Sequence, residues 1–232
     1  MDWFPLLNSL RISGISTVIV FFLGIFAAYY LSKAPGMVKG ILDVVLTLPL
    51  VLPPTVVGYL LLRLLGPRRL IGAAFLQVFD LRLTMTWWSG IIATTIVTFP
   101  LMYRAARGAF ESFDETLAQC AQSLGRSNTY IFWKIRIPYC RQSILAGVVL
   151  TFARGLGEYG ATSMLCGYTP GRTATISTTV YQLWRIGDDS AAFRWVLLNL
   201  IISMGVLLTL NLLQNRRNEK RRGDRNVDFG GY

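Results

Sequence analysis

The chain has 232 residues, of which 53% are hydrophobic and only 15% charged. Soluble domains carry about 25% charged residues, so this balance and the long uncharged runs read as an integral membrane protein rather than a soluble one. The net charge of +11 does not read as a nucleic-acid surface, because the basic residues flank apolar runs or lie in the C-terminal tail, where membrane topology places them.

No histidine is present, which excludes an imidazole metal site or an imidazole proton relay. Cys120, Cys140 and Cys166 are dispersed without metal-ligand spacing and read as small buried packing residues. No cleavable signal peptide is expected, since the first apolar run is too long and no small-residue cleavage site follows it. No catalytic and no metal site is expected.

Five runs reach the roughly 20 residues that a bilayer crossing needs. They are Ile12–Leu31, Ile41–Leu62, Leu83–Tyr103, Ser143–Leu165 and Trp195–Leu213. Leu70–Phe79 is too short and reads as a surface or re-entrant piece; if it crosses, the count is six. With the N-terminus outside and five crossings, the cytoplasmic segments hold 14 Lys and Arg against 8 in the outer ones. That excess favours this orientation. It places the segment between the third and fourth runs in the cytoplasm.

Within the second run, Pro49, Pro53 and Pro54 interrupt the helix, with Thr55 following. Broken backbone at bilayer depth is tolerated where protein or a water-filled path surrounds it. The segment reads either as a pathway-lining kink or as a packing kink. On the third run, Thr94, Thr95 and Thr98 offer neutral hydroxyls that suit the passage of an anion, or that bond back to their own helix. The fourth run carries Arg154 and Glu158, with Thr162 beyond them. Four residues apart, the two charges would share a helix face, pair and point into the protein, since an unpaired charge in a span is costly. The pair reads as a gate element or as a packing pair. Gly155, Gly157 and Gly160 beside it allow close helix approach. In the loop 167–192, Gly171, Arg172 and Thr173 mark a turn and Ile176–Trp184 a short helix that could cap the outer mouth.

The segment Glu115–Pro138 is a polar island between apolar runs. Leu117, Ala121 and Leu124 fall on one helical face, and Gly125 follows where a helix that turns sharply wants a left-handed residue. Ser127 or Asn128 can cap a second short helix, Tyr130–Ile135, which Pro138 is expected to stop. Residues 215–232 read as a basic, disordered cytoplasmic tail after a membrane domain spanning residues 1–214.

Gln119, Cys120 and Ala121, then Gly125, Ile135, Ile137 and Pro138, resemble the Glu-Ala-Ala loop of bacterial ABC importer permeases. Gln119 and Cys120 stand where that pattern has Glu and Ala. The stretches 48–62, 99–111, 152–162 and 169–183 narrow the resemblance to molybdate permeases of the oxyanion branch. The resemblance implies an all-α permease fold with a cytoplasmic coupling loop at 111–138, in a multi-pass protein of a bacterial or archaeal inner membrane. It further implies a homodimer, two cytoplasmic ATPase subunits that carry ATP and Mg, and an extracytoplasmic oxyanion-binding protein. The coupling residues would be Leu117, Gln119, Ala121, Leu124, Gly125, Ile135 and Pro138. The candidate pathway residues would be Pro49, Pro53, Pro54, Thr55, Thr98, Arg154, Glu158 and Thr162. The chain has no Gly-x4-Gly-Lys-Ser/Thr loop, so an outside motor is expected. Tungstate and sulfate or thiosulfate permeases resemble the same stretches and stay open as alternatives. So does a secondary anion transporter, although Glu158 is the only carboxylate deep in a span, and so does a membrane scaffold.

Overall fold

A computed structural model describes residues 2–32 and 34–228; the side chains of Leu70 and of residues from 210 onward lie outside the described set. Among the described residues the regular structure is helical throughout. Helices α1 (Phe4–Ser32), α2 (Gly36–Val51), α3 (Pro54–Leu65), α4 (Leu70–Phe79) and α5 (Trp87–Glu111) come first. The loop carries α6 (Glu115–Ser123), α7 (Asn128–Ile131) and a π-helical turn, Phe132–Arg136. Then follow α8 (Ile137–Leu156), α9 (Gly160–Cys166), α10 (Ile176–Arg185) and α11 (Asp189–Asp228).

The first helix, α1, is largely apolar, yet the buried stripe along its first half is mostly polar. Asn8, Ser9, Ser13, Ser16 and Thr17 are buried while Val18, Phe22 and Leu23 are exposed. In lipid this polarity is sensible, because small hydroxyls let helices approach and find backbone partners. Ser13 Oγ donates to the Phe152 carbonyl at 2.8 Å and Ser16 Oγ to that of Ile91 at 3.1 Å, which ties α1 to α8 and α5. At the start of the helix, Asn8 Nδ2 donates to the Ala174 carbonyl at 2.9 Å. Its far end, with Ile25, Ala28 and Leu31, joins Met102, Tyr103, Phe110 and the loop residues Ile131 and Phe132 in one core.

Two expected spans are broken. The second, expected over Ile41–Leu62, consists of α2 and α3 bent by 109°. Pro53 cannot donate to the ladder and Pro54 starts the next helix at a position where no donor is needed. The fourth, expected over Ser143–Leu165, ends as a helix at Leu156 and restarts at Gly160. In sequence the apolar run is continuous; glycines at 155, 157 and 160 lower the cost of the break. The first and fifth spans correspond to α1 and to Asp189–Thr209 of α11. The backbone of α11 runs on to Asp228, residues 229–232 lie outside the described residues, and the side chains of the basic tail 215–232 lie outside them too.

Candidate coupling loop and pathway

The loop is built by local chemistry. Asp114 caps α6, its carboxylate accepting from the Thr116 amide at 2.9 Å. Beyond α6, Gly125 takes φ +75°. The Gly125 amide donates to the Gln122 carbonyl at 2.8 Å and the Arg126 amide to that of Ala121 at 3.1 Å. These two bonds form a Schellman cap, which satisfies the orphan carbonyls at the helix end. Ser127, whose side chain accepts from the Tyr130 amide, caps α7.

The apolar face expected for α6 divides. Ala118 and Ala121 are buried against the core, while Leu117 and Leu124 are exposed, Leu124 at 80%. Gln119, Gly125 and Pro138 are exposed as well, and Ile135 is half-buried. Cys140 and Cys166 are buried, but Cys120 is exposed, contrary to the packing role expected of it, because it lies on the face of α6 turned from Ala118 and Ala121. Pro138 does not stop the second helix. It lies in the first turn of α8, and the wider π turn just before it leaves room for the proline ring that an α turn would bring against a carbonyl.

Arg136 fastens this loop to itself. Its Nη2 donates to both Glu115 oxygens, at 2.8 and 2.9 Å. Arg136 is buried, with the Phe113 ring 4.4 Å from its guanidinium. A second polar cluster, which the sequence reading missed, lies behind the loop. Arg107 pairs with Asp43 and, at 2.9 Å, with Glu111; Tyr103 donates to Asp43 at 2.9 Å; Lys39 reaches Glu111 at 3.2 Å. This cluster ties the start of α2 to the end of α5. Arg107 donates to Glu111 and holds its carboxyl below the ordinary range, with Lys39 adding to the effect. The only sequence signal was the odd placing of Asp43 in an apolar run and the four-residue spacing of Arg107 and Glu111.

At the other break, α3 packs on α9 with almost no side chain between them. A methyl on Gly160 would lie 2.8 Å from Pro54 Cβ and 2.9 Å from the Thr55 nitrogen, and one on Gly58 would lie 2.7 Å from Ala161 Cα. Pro54 and Thr55 are thus brought to Gly160, beside Glu158 and Thr162. Pro49 stays inside α2 and is half-buried; Pro53 and Thr55 are exposed. Thr98 is fully buried and its hydroxyl bonds back to the Thr94 carbonyl at 2.8 Å, while the buried Thr162 hydroxyl has no partner among the described residues.

Arg154 and Glu158 do pair, Nη1 to Oε2 at 2.7 Å. They do not share a helix face as expected, because α8 ends at Leu156 and Glu158 lies in the break. There its other oxygen accepts from the Ala161 amide at 2.9 Å and so serves the start of α9. Glu158 is buried, but the Arg154 side chain is 39% exposed, not turned inward.

A family model, the binding-protein-dependent transport system inner membrane component, matches residues 20–223. The chain is 39% identical to the molybdenum transport system permease protein ModB of Escherichia coli K12, over 89% of this chain and 91% of that one. It is 37% identical to the ModB protein of Haemophilus influenzae, over 88% and 90% respectively. Among solved structures it superimposes on a bacterial alginate ABC transporter with TM-score 0.73 at 19% identity, covering 90% of this chain and 76% of that one. It also superimposes on the inward-facing MetNI methionine ABC transporter with TM-score 0.71 at 11% identity, covering 91% and 94%. The chain therefore shares its overall fold with chains of these two transporters. The chain belongs to the family of binding-protein-dependent transport system inner membrane components.

Proposed function

We propose that this chain is the membrane subunit of an ATP-driven importer that passes molybdate across the inner membrane by alternating access. The observation that carries the transport reading is the Gly125 loop. It is a self-braced unit with exposed Leu117, Gln119 and Leu124, and it packs through Ile131 and Phe132 onto α1 and α5. Such a unit can transmit a push to the spans without deforming. The molybdate assignment is supported by the names of the relatives, which align with almost the full chain.

In this reading the loop docks on a cytoplasmic ATPase, two copies of which bind ATP with Mg. A second copy of this chain completes the pathway, and an extracytoplasmic binding protein delivers the anion. The alginate transporter, whose structure includes its periplasmic protein, supports such an assembly. Pro54, Thr55, Gly160 and Thr162 would form the moving contact, with Pro49, Pro53, Thr98 and the Arg154–Glu158 pair around it. ATP drives the change through contacts that differ between the two states.

Uptake of labelled molybdate into proteoliposomes holding this chain, its ATPase and its binding protein tests the reading. ATP-dependent uptake that tungstate competes and sulfate does not is the expected result. ATP-dependent uptake of sulfate alone would correct the cargo to the sulfate branch. Uptake indifferent to ATP would overturn the importer and leave an ion-driven anion transporter.

A further inference from the structure

At the end of the molecule opposite the Gly125 loop, the start of α1, residues 82–88 and the turn 169–173 border an open pocket of about 750 Å³. With the loop in the cytoplasm this is the outer end. Three arginines line the pocket, Arg11, Arg82 and Arg172, and among the described residues no carboxylate does. None of the three guanidinium groups forms an ion pair or hydrogen bond among the described residues, although the Arg172 amide donates to the Thr169 carbonyl at 3.1 Å. Arg11 is nonetheless fixed in place, its guanidinium 3.4 Å from the centre of the Trp87 ring.

The three side chains are solvent-exposed and uncompensated within the chain, so an anion placed among them is attracted by all three. The other lining groups match an anion rather than a cation. Trp87 and Trp88 are the first residues of the 25-residue helix α5, whose amides have no partner within the helix and carry the positive end of its dipole. Thr173 Oγ1 accepts from the Thr169 amide, so its own proton is free to donate. The guanidinium fork suits the oxygens of a tetrahedral oxyanion or phosphate group. Exposed Leu7 at the rim is apolar.

We propose that Arg11, Arg82 and Arg172 form an outer-face site for a tetrahedral oxyanion group, carried either by the headgroup of an anionic phospholipid or by a free oxyanion. The site is independent of the moving contact between α3 and α9 and of which anion is transported. Occupied by a headgroup, it pins the outer ends of α1 and α5 to the lipid surface. Occupied by a free ion, it concentrates the anion at the outer mouth.

The full chain in phosphatidylcholine nanodiscs, with and without phosphatidylglycerol, tests this. Native mass spectrometry reads retained phosphatidylglycerol; equilibrium dialysis in phosphatidylcholine alone reads binding of labelled molybdate and of inorganic phosphate. Each arginine adds about fivefold to the affinity of a basic cluster for an anionic group, so R11Q/R82Q/R172Q should weaken binding about a hundredfold. Loss in the lipid arm assigns the headgroup, and loss in the dialysis arm assigns the free ion; either supports the site. Equal retention and equal dialysis by the wild type and the triple variant would overturn it. If the triple variant fails to insert, Arg172→Gln, on an exposed turn, and Arg11→Lys, which keeps the charge, carry the test. The first should lose about fivefold in whichever arm binds and the second should lose less; equal binding by R172Q and wild type would overturn the site.

Discussion

Arg136 reaches back across 21 residues to hold both oxygens of Glu115, so the two ends of the Gly125 loop are joined by one side chain. The bond is asymmetric. Glu115 is 60% exposed, whereas Arg136 is 8% exposed. Removing the arginine therefore loses packing on Phe113 as well as charge.

Arg136→Ala should destabilise the chain by about 3 kcal/mol, in the range of other large-to-small buried substitutions. Glu115→Ala should cost about 1 kcal/mol, because the lost carboxylate is 60% exposed and the Phe113 ring, 4.4 Å away, still compensates the buried guanidinium. Arg136→Ala should also abolish stimulation of the ATPase by the binding protein. Thermal melts of the purified complex and its ATPase rate check both. Equal melting shifts for the two single variants would show that the burial of Arg136 does not matter.

The turn at Gly125 separates backbone conformation from space. A methyl there would meet nothing within 4 Å, yet φ is +75°. Gly125→Ala should therefore cost about 1 kcal/mol, from left-handed strain alone. Gly125→Asn, which tolerates that region, should keep uptake close to wild type. Gly125→Val adds a branched side chain that the region rejects, and it should uncouple ATP hydrolysis from uptake while the chain still inserts. Normal uptake by the valine variant would remove the loop from the coupling mechanism.

Much of this loop was legible because its chemistry is local: Ser127, Gly125 and the polar island define caps and a turn within a few residues of each other. The charges at 43 and 107 were not, since their pairing depends on two helices meeting that are far apart in sequence. The same holds for the break at Gly157. Nothing in the apolar run 143–165 requires it; it is decided by the approach of α3, where Pro54 takes the space beside Gly160. Expecting Arg154 and Glu158 on one face followed from reading that run as continuous helix. The serine stripe of α1 was visible as letters, but the apolar residues around it give no sign of which side faces protein.

That approach of α3 to α9 predicts a contrast between two glycines. Gly160→Ala puts a methyl against the Pro54 ring and the Thr55 backbone, so α3 must move. Overpacking of this kind costs about 1–3 kcal/mol, and uptake should fall with it. Gly157→Ala meets nothing within 4 Å at φ −91° and should change stability by no more than about 0.5 kcal/mol. Both variants are read by melting temperature and by molybdate uptake. Equal behaviour would mean that the α3–α9 contact bears no strain.

Asp114 gives the loop a pH limit. Hydrogen bonds from the Thr116 hydroxyl and amide hold its carboxyl below its ordinary 3.8. A carboxyl whose folded pKa is lowered stabilises the fold fully above its unfolded value and loses that effect as pH falls through the folded one. The start of α6 should stay protected at every pH above 3.8 and open only in stronger acid. Hydrogen-exchange protection factors for residues 115–118, which remove the intrinsic pH dependence of exchange, check this. In Asp114→Ala the same amides should be less protected and lose the acid transition; a transition that persists would belong to another group.

The buried carboxylate at the break yields the final prediction. Glu158 is almost fully buried, and its two oxygens serve Arg154 and the Ala161 amide. Arg154→Ala leaves a buried negative charge with one hydrogen bond, a defect that costs about 3 kcal/mol when a buried pair is broken from one side. Arg154→Ala/Glu158→Gln removes the charge yet keeps an acceptor for the Ala161 amide, so it should melt higher than the single variant. Arg154→Ala/Glu158→Ala removes the charge and also the acceptor at the start of α9. It should recover less than the glutamine double variant but still exceed Arg154→Ala, because an unpaired amide costs less than an unpaired buried charge. Should the glutamine double variant melt below Arg154→Ala, the arginine would not be neutralising Glu158.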